Sequence, residues 1–202
     1  MDDYQDILTF WFGILDEDGN ADPRYSKRWF QSDPGFDDEV RTLFAKDLDR
    51  AIAGHYDHWR DEPQSRLALL ILLDQFSRNI FRGSHKAFAQ DAKAQQLVEE
   101  GLALGQDQEL ATPYRLFFYL PLMHAEDRAL QALCVEQYRQ LHGQAPASAK
   151  ALVQNSLHFA QEHQAIIDRF GRFPYRNKVL SRANTADEQA WLRANPGGYG
   201  QA

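Results

Sequence analysis

Side chains able to carry chemistry fall into three groups along this chain. In the first, Asp74, Gln75, Arg78, Asn79 and Arg82 stand three or four residues from one another, so a helix carries them on one arc. Two arginines on one face make a fork for a carboxylate or phosphate. The same residues also allow an internal network, with Asp74 and Arg78 as an i,i+4 ion pair and the two amides tying down helix ends. In the second group, His124, Glu126 and Asp127 follow the aromatic-rich run FFYLPLM. His124 with Glu126 is a candidate acid–base pair, or a pair of metal ligands. The metal option has no motif behind it: H-E-x-x-H is absent, and this His-x-Glu lacks the downstream cysteines of a zinc deaminase. Glu126 and Asp127 serve equally as acids at the positive end of the next helix.

The third group runs from His163 to Arg182. Arg169, Arg172, Arg176, Lys178 and Arg182 oppose only Asp168, with Asn177 among them. Gly171 and Pro174 bracket a turn whose N–H groups, beside arginines, suit a small anion. Phe170, Phe173 and Tyr175 interleave with the charges as in a single-strand nucleic-acid binder. Pairing of these arginines with Glu126 and Asp127 across the fold would instead leave a purely structural cluster.

Other patterns carry less. Asp16, Asp18, Asn20 and Asp22 alternate as in a calcium loop, but Lys27 stands where a bidentate Glu is needed and Ala21 where Gly is needed. A solvated loop is the expectation. No Gly-rich phosphate loop or G-x-S-x-G elbow exists, and Ser77 has no evident base. His158 and His163 are five apart and do not share a helix face. Cys134, among Leu130, Leu133 and Tyr138, reads as inert. Neither a metal nor a cofactor is implied.

These residues need elements to position them. Leu67, Ala68, Leu69, Leu70, Ile71, Leu72 and Leu73 are apolar on every side, so their helix must be surrounded by protein. Pro63 opens that central helix and Gly83 closes it. A buried helix that turns polar along one arc feeds a hydrogen-bond network or lines a pocket. Before it, Asp2 or Asp3 caps a helix ending at Phe12–Gly13, with Ile7, Leu8, Phe10 and Trp11 inward. Residues 14–26 form a polar loop. A helix over 36–53 follows Asp33-Pro34, with Phe36, Val40, Leu43, Phe44, Leu48 and Ile52 inward. After the central helix come helices over 87–104, from Thr112-Pro113, over 127–141 and over 148–170. Pro121 should kink or interrupt the second of these. A short helix starts at Pro174, and Thr185-x-x-Glu188 is a capping box for the last helix. No run alternates with period two, so the expected class is all-α, built of antiparallel helix pairs. Residues 1–195 form one domain and 196–202 a frayed tail.

Charge and composition narrow the partners. Lys and Arg total 22 against 29 Asp and Glu, a net charge of −7. A mildly anionic protein is poorly suited to general nucleic-acid or anionic-membrane binding. The apolar run Leu67 to Leu73 falls far short of the ~20 residues of a spanning helix. One cysteine cannot form an internal disulfide, and the start MDDYQDILTF lacks the basic residues of a secretory signal. The expectation is a cytoplasmic protein without nucleic-acid or membrane partners, its oligomeric state left open.

Four stretches carry a resemblance: ILTFWFG at 7–13, LLDQFSRNIFRG at 72–83, FFYLPLMHAEDRALQ at 117–131, and HQAIIDRFGRFPYRNKVLSRANTADEQAWL at 163–192. With them the chain resembles the largely bacterial family catalogued as domain of unknown function 924. The resemblance implies an all-α right-handed superhelix of helix pairs, similar to tetratricopeptide-repeat proteins. It brings no activity, cofactor or catalytic residue. Family members commonly carry His at the position of Tyr175 and often Ser at that of Ala125.

The reading taken forward is a helical domain that binds a small anionic molecule or acidic peptide. The ligand-binding residues are Gln75, Arg78, Asn79, Arg82, His163, Arg169, Arg172, Arg176 and Asn177. Two alternatives stand beside it: a hydrolase-like enzyme using His124 and Glu126 as acid and base, and an interaction protein whose polar clusters are internal networks.

Overall fold

A computed structural model describes residues 3–196. These residues form helices and turns, with no strand among them. Met1, Asp2 and residues 197–202 lie outside them, so all of the expected 196–202 tail except Pro196 is outside the description.

Helix α1 (Tyr4–Phe12) starts where the Asp3 carboxylate accepts from the Gln5 N–H. It stops at Gly13, whose φ of +69° is open to glycine and whose missing Cβ leaves room for the Tyr25 ring. The following loop is stapled by Asp16, which accepts from the backbone N–H groups of Asp18 and Asn20. That acid forms a turn from within. Helix α2 (Pro34–Ile52) is capped by Asp33 and buries Phe36, Val40, Phe44, Leu48 and Ala51. Leu43 and Ile52, expected inward, are 53% and 38% exposed. The buried stripe is narrower than the apolar pattern, because neighbours cover α2 along one face only.

The central rod α3 is three consecutive pieces: Pro63–Leu70, the π turn Ile71–Phe76, and Ser77–Ile80. Leu67 through Leu73 are fully buried or nearly so. Each such side chain contributes roughly 1.5–3 kcal/mol relative to exposure. Helices α1, α2, α4 (Asp91–Ala103) and α5 (Thr112–Met123) all pack on this rod. The sequence places the start of α4 at Ala87, but His85–Phe88 is a separate 3-10 turn capped by the Ser84 hydroxyl. Pro121 does not interrupt α5, which runs on to Met123.

Helix α6 (Arg128–Gln144) begins at Asp127, whose carboxylate accepts from the Leu130 N–H. It packs along α7 (Lys150–Phe170), which ends at Gly171 in the left-handed region. A short turn Pro174–Arg176 and helix α8 (Ala186–Ala194) complete the chain. Thr185 and Glu188 form both halves of the capping box on α8. Most buried apolar residues join one cluster around α3, whereas Ile166, Ile167, Phe173 and Tyr175 form a second, smaller one beneath Trp191.

Candidate functional site

In the π turn the Ser77 N–H bonds to the Leu72 carbonyl, one residue further back than in an α-helix. The extra residue turns the following side chains relative to those before it. Such single π turns concentrate at functional sites. Here it contains Asp74 and Gln75, where the rod changes from apolar to polar.

Asp74 is the hub. Its Oδ1 lies 2.7 Å from His124 Nδ1 and 2.9 Å from Arg78 Nη1, and its Oδ2 accepts from Gln75 Nε2 at 2.5 Å. Burial alone would raise this carboxyl, but the Arg78 guanidinium and His124 outweigh it and hold Asp74 far below the usual carboxylate range. His124 is displaced downward by burial and by Arg78, against the pull of Asp74. The ionised carboxylate therefore faces a neutral imidazole whose Nδ1 carries the proton and whose Nε2 carries the lone pair.

Two further carboxylates complete the layer. Asp91, at the start of α4, lies 2.9 Å from Arg78 Nη1 and 3.4 Å from Arg176 Nη1. Arg176 also donates to the His124 carbonyl at 3.0 Å, and its plane stacks on Phe88 and Phe173. Asp37, in the first turn of α2, accepts from Asn79 Nδ2 at 2.7 Å and from Arg82 Nε at 2.6 Å. Burial raises Asp37, and the Arg82 and Asn79 bonds more than reverse it. The single arc expected from sequence is thus divided. Asp74 and Arg78 turn to His124 and Asp91, while Asn79 and Arg82 turn to Asp37.

A cavity of about 350 Å³ adjoins this layer. Gln75, Arg78, Asn79, Arg82, His124 and His163 line its polar end. Trp29, Phe30, Leu116, Phe117, Leu120 and Phe159 form its apolar walls. Phe30 lies parallel to Phe117 at 5.9 Å and is 60% exposed, at the mouth. His163 Nδ1 donates to the Phe159 carbonyl at 2.8 Å, and burial pushes its pKa down to about 4. Among the described residues no group of His, Cys, Asp and Glu is arranged to hold a metal.

Not every expected residue arrives here. Glu126 does not partner His124: it accepts the Phe173 N–H at 2.8 Å and both Arg182 Nη groups at 2.6 and 2.8 Å. Burial raises the Glu126 carboxyl and Arg182 brings it below its ordinary value. The carboxylate behind His124 is Asp74. Arg172 binds Glu188 through Nε at 2.6 Å, and Arg169 is exposed over the Phe170 ring. Asn177 is buried between Asn184 and Arg182, and Arg176 stands behind the cavity lining. Sequence reading missed Asp37, Asp91 and Phe88. The first two had a signal. Asp37 shares its helix face with Val40 and Phe44, and Asp91 shares one with Ala94 and Val98, so both acids point inward.

A family model described as "Bacterial protein of unknown function (DUF924)" matches residues 7–197. A solved protein of unknown function from Agrobacterium tumefaciens is similar in structure, with a TM-score of 0.81 and 34% sequence identity. The match covers 95% of this chain and 97% of that one. None of the curated proteins matches.

Proposed function

The chain belongs to this bacterial family of unknown function, and on that premise we propose that it binds a small amphipathic molecule in the cavity between α3, α5 and α7. His124 acts there as the proton acceptor, with Asp74 behind it. The observation that carries this reading is the 2.7 Å contact between His124 Nδ1 and Asp74 Oδ1, with His124 in the cavity wall. An ionised Asp74 fixes the tautomer and favours the imidazolium that forms when Nε2 takes a proton. Burial keeps the resting imidazole neutral, the form a base needs. The reaction class is general-base activation of water or of a ligand hydroxyl, as in a hydrolase, with Asp74 in the role the sequence suggested for Glu126. A cavity of this size, mostly apolar with polar groups at one end, suits a small molecule.

A carboxylate, a phosphate or an acidic peptide is the second reading, favoured by the guanidinium groups of Arg78 and Arg82 in the lining. It requires those groups to release Asp74, Asp91 and Asp37. The proposal also takes the helix pairs as a tetratricopeptide-like right-handed superhelix working in the cytoplasm, where the free, buried Cys134 stays reduced.

The test is a ligand-observed NMR screen of small amphipathic fragments. Leu120→Trp fills the cavity and should abolish binding of the wild-type hits. His124→Gln keeps a donor for Asp74 and should retain binding, while turnover of any hydrolysed hit falls by about a hundredfold or more. Hits that bind the filled variant equally well, or equal turnover by His124→Gln, would overturn the proposal.

A further inference from the structure

We infer that the molecule taken by this cavity presents a hydrogen-bond-donating head, an alcohol or an amine, and not the carboxylate or phosphate its arginines suggest. The inference rests on the cavity reading above and adds the chemistry of the head group.

It follows from where the donors point. Arg78 Nη1 donates to the Asp74 carbonyl at 2.9 Å and lies 2.9 Å from the carboxylates of both Asp74 and Asp91, and its Nη2 donates to Asp91 at 3.0 Å. Arg82 gives Nε and Nη2 to Asp37 at 2.6 and 2.9 Å. Gln75 and Asn79 each turn an amide N–H₂ onto a carboxylate, Asp74 and Asp37 respectively. His124 gives Nδ1–H to Asp74. Arg78, Arg82 and Arg176 are therefore balanced by Asp37, Asp74 and Asp91, with no net positive charge left over.

An ionised carboxylate accepts hydrogen bonds and cannot donate, so its amide neighbours are oriented without ambiguity. The opposite end of each amide is an acceptor. Gln75 Oε1, Asn79 Oδ1 and His124 Nε2 accept from no donor among the described residues, while each amide has already given one N–H to a carboxylate. An anion brought against three lone pairs is repelled, and it also loses its own hydration. A hydroxyl or ammonium head satisfies the acceptors directly. His124 Nε2, the proposed base, is one of them, so the donor lies where its proton can leave. The apolar body then rests between Phe30, Phe117, Phe159 and Leu120.

Phenylethanol, phenylethylamine and phenylacetate share one skeleton and differ in the head, and titration of each by saturation-transfer NMR provides the test. The alcohol and the amine should bind the wild type at least about tenfold more tightly than the acid. Asp91→Asn frees one side of the Arg78 and Arg176 forks, and phenylacetate should then gain most. The wild-type ranking alone decides the inference. Phenylacetate binding as tightly as the alcohol, and displaced by Leu120→Trp, overturns the donor-head inference while the cavity reading stands. If no compound of the three binds the wild type, the donor-head inference falls, and the cavity reading is decided by the fragment screen with Leu120→Trp.

Discussion

Two regions of this molecule are made of the same materials, arginine forks on carboxylates, yet differ in what surrounds them. Around α3, Asp74, Arg78, Asp91 and Arg176 share partners, are almost wholly out of solvent, and back onto a cavity. In the C-terminal region, Glu126 with Arg182 and Glu188 with Arg172 form separate pairs with partly exposed arginines and no place in that cavity lining. A charge pair in a dry, shared network costs much to break, because the partner left behind has no water to turn to. A separate pair whose arginine reaches water loses less, and Glu188 keeps the Thr185 N–H when Arg172 is removed. An arginine count therefore says nothing of a site until burial and shared partners are known.

The sharpest break should come at the centre. Arg78→Ala leaves Asp74 facing only neutral hydrogen-bond donors and Asp91 with Arg176 alone, and should cost about 3–5 kcal/mol in urea unfolding. A loss below about 1 kcal/mol would mean that the network is hydrated after all.

Acid should separate the two regions next. His163 has its pKa pushed from the ordinary histidine value down to about 4, so the folded state disfavours its charged form. The stability this neutral ring supports is complete above about pH 6.5 and is lost as pH falls from there towards 4. The Glu188 carboxyl is held at about 2, chiefly by Arg172. Its contribution is present above about pH 4.5 and disappears only as pH falls towards 2. Unfolding midpoints across pH should therefore decline first through the centre, and His163→Gln should flatten the upper part of the curve. An unchanged curve in that variant would remove His163 from the acid response.

Smaller effects belong to the C-terminal pairs. Arg182→Ala, which removes one bond from each oxygen of half-buried Glu126 and one from the Phe173 carbonyl while the Phe173 N–H still reaches Oε1, should cost roughly 1 kcal/mol. Arg172→Ala should shift the melting temperature least, and about 1 M salt should shrink that shift further. If Arg172→Ala proved as damaging as Arg78→Ala, the distinction between the two regions would collapse.

Much of the scaffold was legible because its signals are local. Asp3, Asp33 and Asp127 cap helices through bonds to N–H groups two or three residues on, and Gly13 and Gly171 end helices by a backbone state that glycine adopts freely. Leu67 to Leu73 announced a surrounded rod. The candidate site was legible in part: Gln75, Arg78, Asn79, Arg82, His124 and His163 do meet at one cavity. What failed was pairing. Glu126, two residues from His124, was the nearer carboxylate in sequence, yet Asp74, fifty positions away, holds the ring.

The amino-acid order by itself determined the helical class, most helix ends and the dry run of the central rod, since each depends on residues within about one or two turns. Only the tertiary structure decided which acid each base would meet. Asp37 and Arg82 are 45 positions apart, and Asp91 and Arg176 are 85 apart. Such pairs are chosen by how the helices cross and by one π turn that redirects Asp74 and Gln75. Because ion pairing is short-ranged in water and strong only where water is excluded, it was packing that turned an arginine-rich stretch into a layer of matched ion pairs beside a cavity.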